Sequence, residues 1–140
     1  MMQNNRTESA IKSFNFVVDE FMGKMIKTFP GEHKLKLWYI HFKTSKRFNP
    51  KGPMEYIMVP LVDMGVPIMT KDERFFKKDE YVNFAEGFSE STGLVNIWDS
   101  TTPDIKESIW GYIQSIYVMG MNGLGETQKL REVLTTINSA

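Results

Sequence analysis

The chain has 140 residues, with 17 lysines and arginines against 17 aspartates and glutamates, so its net charge is zero. Cysteine is absent and 41% of the residues are hydrophobic. That length supports one domain with a real core, and that composition excludes an intrinsically disordered chain, a disulfide framework, a zinc–thiolate site and a cysteine nucleophile.

The N-terminus, Met-Met-Gln-Asn-Asn-Arg, lacks the apolar stretch of a secretory signal, and Met2 stands where N-myristoylation needs glycine. Residues 1–6 are expected to fray. Asn5 with Glu8 resembles a capping box. Ile11, Phe14, Val18, Phe21, Met22, Met25 and Phe29 then recur at helical spacing, which predicts a first amphipathic helix ending at Phe29-Pro30-Gly31. Leu35, Trp38, Tyr39 and Phe42 predict a second helix of about three turns. Asn49-Pro50-Lys51-Gly52-Pro53 is a turn cluster, and Pro53 suits the first position of a third helix carrying Met54, Ile57, Met58, Leu61 and Val62. Pro60 should shorten that helix, and Gly65 and Pro67 should close it. Thr70 with Glu73 reads as a capping box opening a short helix with Phe75 and Phe76. Residues 81–93 give the weakest pattern, with Phe84 and Phe88 as apolar anchors. Leu94 to Trp98 reads as a short helix or turn.

Thr102-Pro103-Asp104 is a strong helix start: an N-cap, a proline at the first position and an acid near the positive end of the dipole. The helix it opens carries Ile105, Ile109, Tyr112, Ile113, Ile116 and Tyr117. Trp110, Val118 and Met119 make it apolar almost all round, which predicts a buried central position. The glycines from 120 to 125 are expected to stop it. Leu130, Val133, Leu134 and Ile137 predict a last amphipathic helix. The uncharged run from Ser108 to Gly125 contains polar residues and four glycines, so no membrane span is expected. No alternating strand pattern persists. The expectation is an all-α single domain over 1–140, with about six or seven helices around the helix after Thr102.

Charge is balanced overall but not locally. Residues 33–54 contain Lys34, Lys36, Lys43, Lys46, Arg47 and Lys51 and no acid. Residues 79–107 contain Asp79, Glu80, Glu86, Glu90, Asp99, Asp104 and Glu107 against Lys106 alone. Such segments can be solvated faces, can meet within one molecule, or can set register between molecules. The basic segment also holds Trp38, Tyr39, Phe42 and Phe48, the mixture that a nucleic-acid stacking surface uses. Three of those rings share the stripe assigned to the core.

No catalytic constellation emerges. His33 and His41 fall roughly 80° apart on a helix, a poor chelating pair, and neither sits in an HExxH pattern. No serine lies in a GxSxG elbow. The carboxylates of Lys71-Asp72-Glu73-Arg74 and Lys77-Lys78-Asp79-Glu80 each have basic neighbours, so surface ion pairing accounts for them. The glycine run before the last helix lacks the Lys-Ser/Thr of a phosphate loop. No residue is therefore assigned to catalysis, cofactor binding or metal binding. Ten methionines fit a core of irregular gaps.

Ile97-Trp98 followed by Ile109-Trp110-Gly111-Tyr112-Ile113-Gln114-Ser115-Ile116-Tyr117 resembles an IW…IWxYxQxLY signature. That signature is associated with small all-helical proteins of unassigned function encoded by nucleocytoplasmic large DNA viruses. Phe29-Pro30 and Asp72-Glu73-Arg74-Phe75-Phe76 resemble the FP and DExFF features of the same group. The resemblance spans most of residues 11–120. It implies a viral origin and an all-helical fold, and it carries over no active site.

The combined expectation is a non-enzymatic structural or protein-interaction protein without cofactor, located in the host cytoplasm or the virion. Its partner would be itself or another protein. Its contacts would be Lys43, Lys46, Arg47 and Lys51 on the basic side and Glu86, Glu90 and Asp99 on the acidic side. The alternative is a small nucleic-acid-binding or regulatory module using the basic segment.

Overall fold

Apolar spacing and end signals set most of the helices seen in the computed structural model, which describes residues 2–77 and 88–139, with side chains from residue 7 onward. The long first helix, α1 (Met2–Thr28), buries Phe14, Val18, Phe21, Met22 and Met25 on one face. It stops where Pro30 forbids a helical Phe29. Next come α2 (His33–Phe48), α3 (Gly52–Met58) and α4 (Gly65–Met69). A 3₁₀ turn spans Glu73–Phe76. After the stretch 78–87 follow α5 (Glu90–Thr92), α6 (Leu94–Ile97) and a 3₁₀ turn at Trp98–Ser100. The last two are α7 (Pro103–Gly123) and α8 (Thr127–Ser139). The fold is all-α and a single domain, with no strand among the described residues.

The Thr102 hydroxyl accepts from the Ile105 N–H at 3.3 Å, and Pro103 occupies the first turn, so α7 starts where its sequence signals place it. This helix lies along α1 and also contacts α3, α4 and α8. It buries Ile109, Trp110, Ile113, Ile116, Tyr117 and Met121. It is not covered all round: Glu107, Ser108, Gly111, Ser115 and Asn122 form an exposed small and polar stripe.

Four local expectations are corrected. Helix α1 begins at Met2, so Asn5 and Glu8 lie inside it and not at its start. Gly65 and Pro67 do not close α3. They belong to α4, where proline falls in the first turn and its missing N–H would have had no partner. Thr70 ends α4 instead of opening the next element: its hydroxyl donates to the Val66 carbonyl at 2.7 Å. Lys71 then reverses the chain at φ 56°, and Asp72 caps the 3₁₀ turn by accepting from the Arg74 N–H at 3.1 Å. Finally, α7 continues through Gly120 to Gly123. Those two glycines let the helix approach Met58 and Met54 so closely that a methyl group at either position would collide with a thioether. Tertiary packing overrides the local stop signal there.

The core gathers apolar residues from every described helix except α5 and is aromatic at one end. Phe76 stacks on Trp98 with ring centres 3.8 Å apart, and Trp110 meets both edge-on at 4.9 and 5.6 Å. Phe75 closes the cluster against Phe76 at 4.9 Å. The Trp98 indole N–H donates to Glu73 at 3.1 Å, and the Lys106 ammonium sits 3.3 Å from the same carboxylate and over the indole ring. The Gln114 amide donates to the Ile68 carbonyl at 3.2 Å, tying α7 to α4. The residues of the two tryptophan motifs and of the Asp72–Phe76 segment thus converge on one packing cluster.

Candidate functional site

Helix α2 has two dissimilar sides. Its start is capped by Glu32, whose carboxylate accepts from the Lys34 N–H, and its end by Asn49 in an extended conformation. Lys46 and Arg47 lie in the last turn, where a helix dipole favours cations. The inner side buries Leu35 and Phe42, and Trp38 stacks parallel to Phe42 at 6.0 Å. The Tyr39 hydroxyl donates to Asp19 at 2.8 Å, which ties α2 to α1. Burial, followed by that hydrogen bond, pushes the Tyr39 pKa above its ordinary value. Asn15 on α1 completes the tie by donating to the Pro50 carbonyl at 2.8 Å.

The outer side presents Leu37 at 68%, Ile40 at 56% and Phe48 at 84% exposure. At 3.6 residues per turn these three share an arc of roughly 80°. Lys36, Lys43 and Arg47 share an adjoining arc of about 40°. All three of these cations are exposed. The Lys43 ammonium lies 4.4 Å above the Tyr39 ring, and Lys46 lies 5.5 Å from the Phe42 ring. Lys51 follows the helix in the exposed turn after Pro50.

The acidic segment is organised differently. Glu90 faces Lys34 at 3.8 Å, and Asp99 faces Lys77 at 2.9 Å. Glu107 pairs with Lys71. The hydrogen bond and charge of Lys77 hold the Asp99 carboxyl below the usual carboxylate range. Glu86, Asp79 and Glu80 lie outside the described residues. Among the described residues one pair, Lys34–Glu90, therefore joins the basic segment to the acidic one within the molecule. Among the described residues, Lys36, Lys43, Lys46, Arg47 and Lys51 meet no carboxylate.

The stacking surface imagined for nucleic acid does not assemble as a platform. Trp38, Tyr39 and Phe42 face inward, and Phe48 alone of the four stands fully in solvent. His33 and His41 are exposed, and His41 lies 5.3 Å from the Tyr56 ring. No group of three or more metal-ligating side chains forms among the described residues. No described helix is long and apolar enough to cross a membrane. A groove of about 270 Å³ lined by Trp38, Tyr56, Ile57, Val59, Pro60, Phe88 and Ser91 flanks α2 and is mainly apolar.

Leu37 and Ile40 were missed by the sequence reading, which followed only the apolar stripe through Leu35 and Phe42. Their signal was available: both fall on the opposite side of the helical wheel, among the cations. No family model matches the chain, and neither a curated protein nor a solved structure matches it.

Proposed function

We propose that the protein is a non-catalytic interaction protein that docks through the outer face of α2 onto an anionic surface. The observation that carries this reading is the contrast in pairing. Of the four described carboxylates of the acidic segment, Glu90, Asp99 and Glu107 have a lysine partner and Asp104 has no ion pair among the described residues, whereas five of the six cations of the basic segment meet no carboxylate among them. Three of those cations, Lys36, Lys43 and Arg47, flank one edge of a contiguous row of exposed apolar side chains, the kind of patch that marks an interaction site. The resemblance to proteins of large DNA viruses supports placing this role in a virion or in an assembly within the host cytoplasm. The internal pairing of Glu90 and Asp99 leaves the basic side as the half of the expected complementary surfaces still seeking a partner. An exposed Phe48 beside Arg47 and near Lys51 supports nucleic acid as a second reading.

The test uses the purified chain and a Lys43→Glu/Arg47→Glu variant. Self-association is followed by sedimentation velocity, nucleic-acid binding by gel retardation and lipid binding by vesicle flotation, each at low and high salt. The reading expects at least one salt-sensitive interaction that the variant weakens. Identical behaviour of variant and wild type in all three would overturn it.

A further inference from the structure

We infer that the anionic surface met by α2 is a lipid bilayer, which the helix would touch side-on without spanning it. The inference rests on the docking reading above and names its partner. Three of the seven large apolar side chains that stand exposed among the described residues lie on this one helix face. Leu37, Ile40 and Phe48, with Thr44 between them, form a ridge about 16 Å long at 1.5 Å per residue. The ridge is convex. Trp38 leaves it on one flank to line a groove with Tyr56, and Tyr39 leaves it on the other to line a groove with Asp19. A flat, deformable partner fits a convex ridge, since it needs no cleft of its own.

The charges argue for the same partner. Lys36, Lys43 and Arg47 run beside the ridge, and His41 borders its other edge together with Lys34, which is already paired with Glu90. Long basic side chains in that position can reach outward to headgroup phosphates while the apolar tips enter the acyl boundary, the arrangement of an interfacial amphipathic helix. The helix itself carries no acid between Glu32 and Glu55, and the two acids packed against it, Glu90 and Asp19, are held by Lys34 and by the Tyr39 hydroxyl. A nucleic-acid duplex is a poorer fit, because the centre of the face would offer aliphatic carbon to base edges that ask for donors and acceptors.

The absence of cysteine allows one unique label site. An environment-sensitive fluorophore on Ile40→Cys, with Glu132→Cys on α8 as the control, would be mixed with phosphatidylcholine vesicles with and without phosphatidylserine. The label at position 40 should shift to the blue only with the anionic vesicles, and the control should not shift. Leu37→Ser/Phe48→Ser should reduce flotation of the unlabelled chain about tenfold, and loss of each basic contact should reduce it about fivefold. Three results would overturn the inference: no flotation with anionic vesicles, equal shifts at both label positions, or flotation that the serine variant leaves unchanged. If flotation is absent while Lys43→Glu/Arg47→Glu still alters self-association or nucleic-acid binding, the bilayer is wrong and the docking surface stands. If that variant alters nothing, both fall.

Discussion

The aromatic cluster around Trp98 and the outer face of α2 use similar ingredients to opposite ends. Each combines large apolar side chains with lysine and polar neighbours. In the cluster the rings of Phe75, Phe76, Trp98 and Trp110 are buried, the indole N–H of Trp98 has Glu73, and Glu73 has Lys106. On α2 the apolar tips are in solvent, and the cations beside them have no carboxylate among the described residues. A region whose groups are satisfied internally serves the fold. A region left unsatisfied at the surface is the one to examine for a partner.

Substitutions should separate the two regions by magnitude. Trp110→Ala should cost about 3–5 kcal/mol in urea denaturation, because it leaves a large cavity at the centre of the cluster. A loss under about 1 kcal/mol would make the cluster peripheral to folding. Gly65→Ala comes next, at about 1–3 kcal/mol. Its methyl would press on the buried Tyr117 hydroxyl and lie 2.7 Å from Val133 Cγ2, where α4, α7 and α8 meet. Full stability in that variant would show that this junction is loosely packed. Thr102→Ala removes the cap of the helix that carries Trp110 and should cost about 0.5–2 kcal/mol. A thermal melt checks it. Leu37→Ser/Ile40→Ser on the α2 face should shift stability by less than about 0.5 kcal/mol per site. A larger loss would move that face from the docking side of the comparison to the folding side.

The smallest effect concerns Asp99 and Lys77, a pair in solvent. The Asp99 carboxyl titrates below its ordinary value, so whatever the pair contributes is present above the ordinary carboxylate pKa and is lost as pH falls through the lowered one. In Lys77→Met the NMR titration midpoint of Asp99 should rise. An unchanged midpoint would remove this contact from the set that neutralises the acidic segment.

Much of this arrangement was legible from spacing alone. The buried face of α1, the inner stripe of α2 and the Thr102 cap of α7 follow from a 3.6-residue period and from end chemistry that acts within a few residues. The misread positions share another cause. Gly65, Pro67 and Gly120 carry the local chemistry of helix breakers, but proline is harmless in a first turn, and Gly120 is required by a neighbour distant in sequence. Thr70 carries the same hydroxyl whether it ends or begins a helix, and the left-handed Lys71 beside it is not a residue type that announces such a turn. At the candidate site the cations were visible as a run. Which of them would find a partner depended on Glu90 arriving beside Lys34 from far along the chain, while Asp99 went to Lys77 outside the run.

The contact of Met54 and Met58 with the glycines of α7 has a chemical consequence. Both thioethers are fully buried, so a peroxide reaches them only when α3 lifts from α7. A sulfoxide formed in that interval would be bulkier and polar, and it could not settle back against Gly123 or Gly120. The oxidation rate at these two positions, read by mass spectrometry against the half-buried Met119, would therefore act as a clock for the opening of this seam. Each recorded opening would also be irreversible for the molecule until a reductase repaired it.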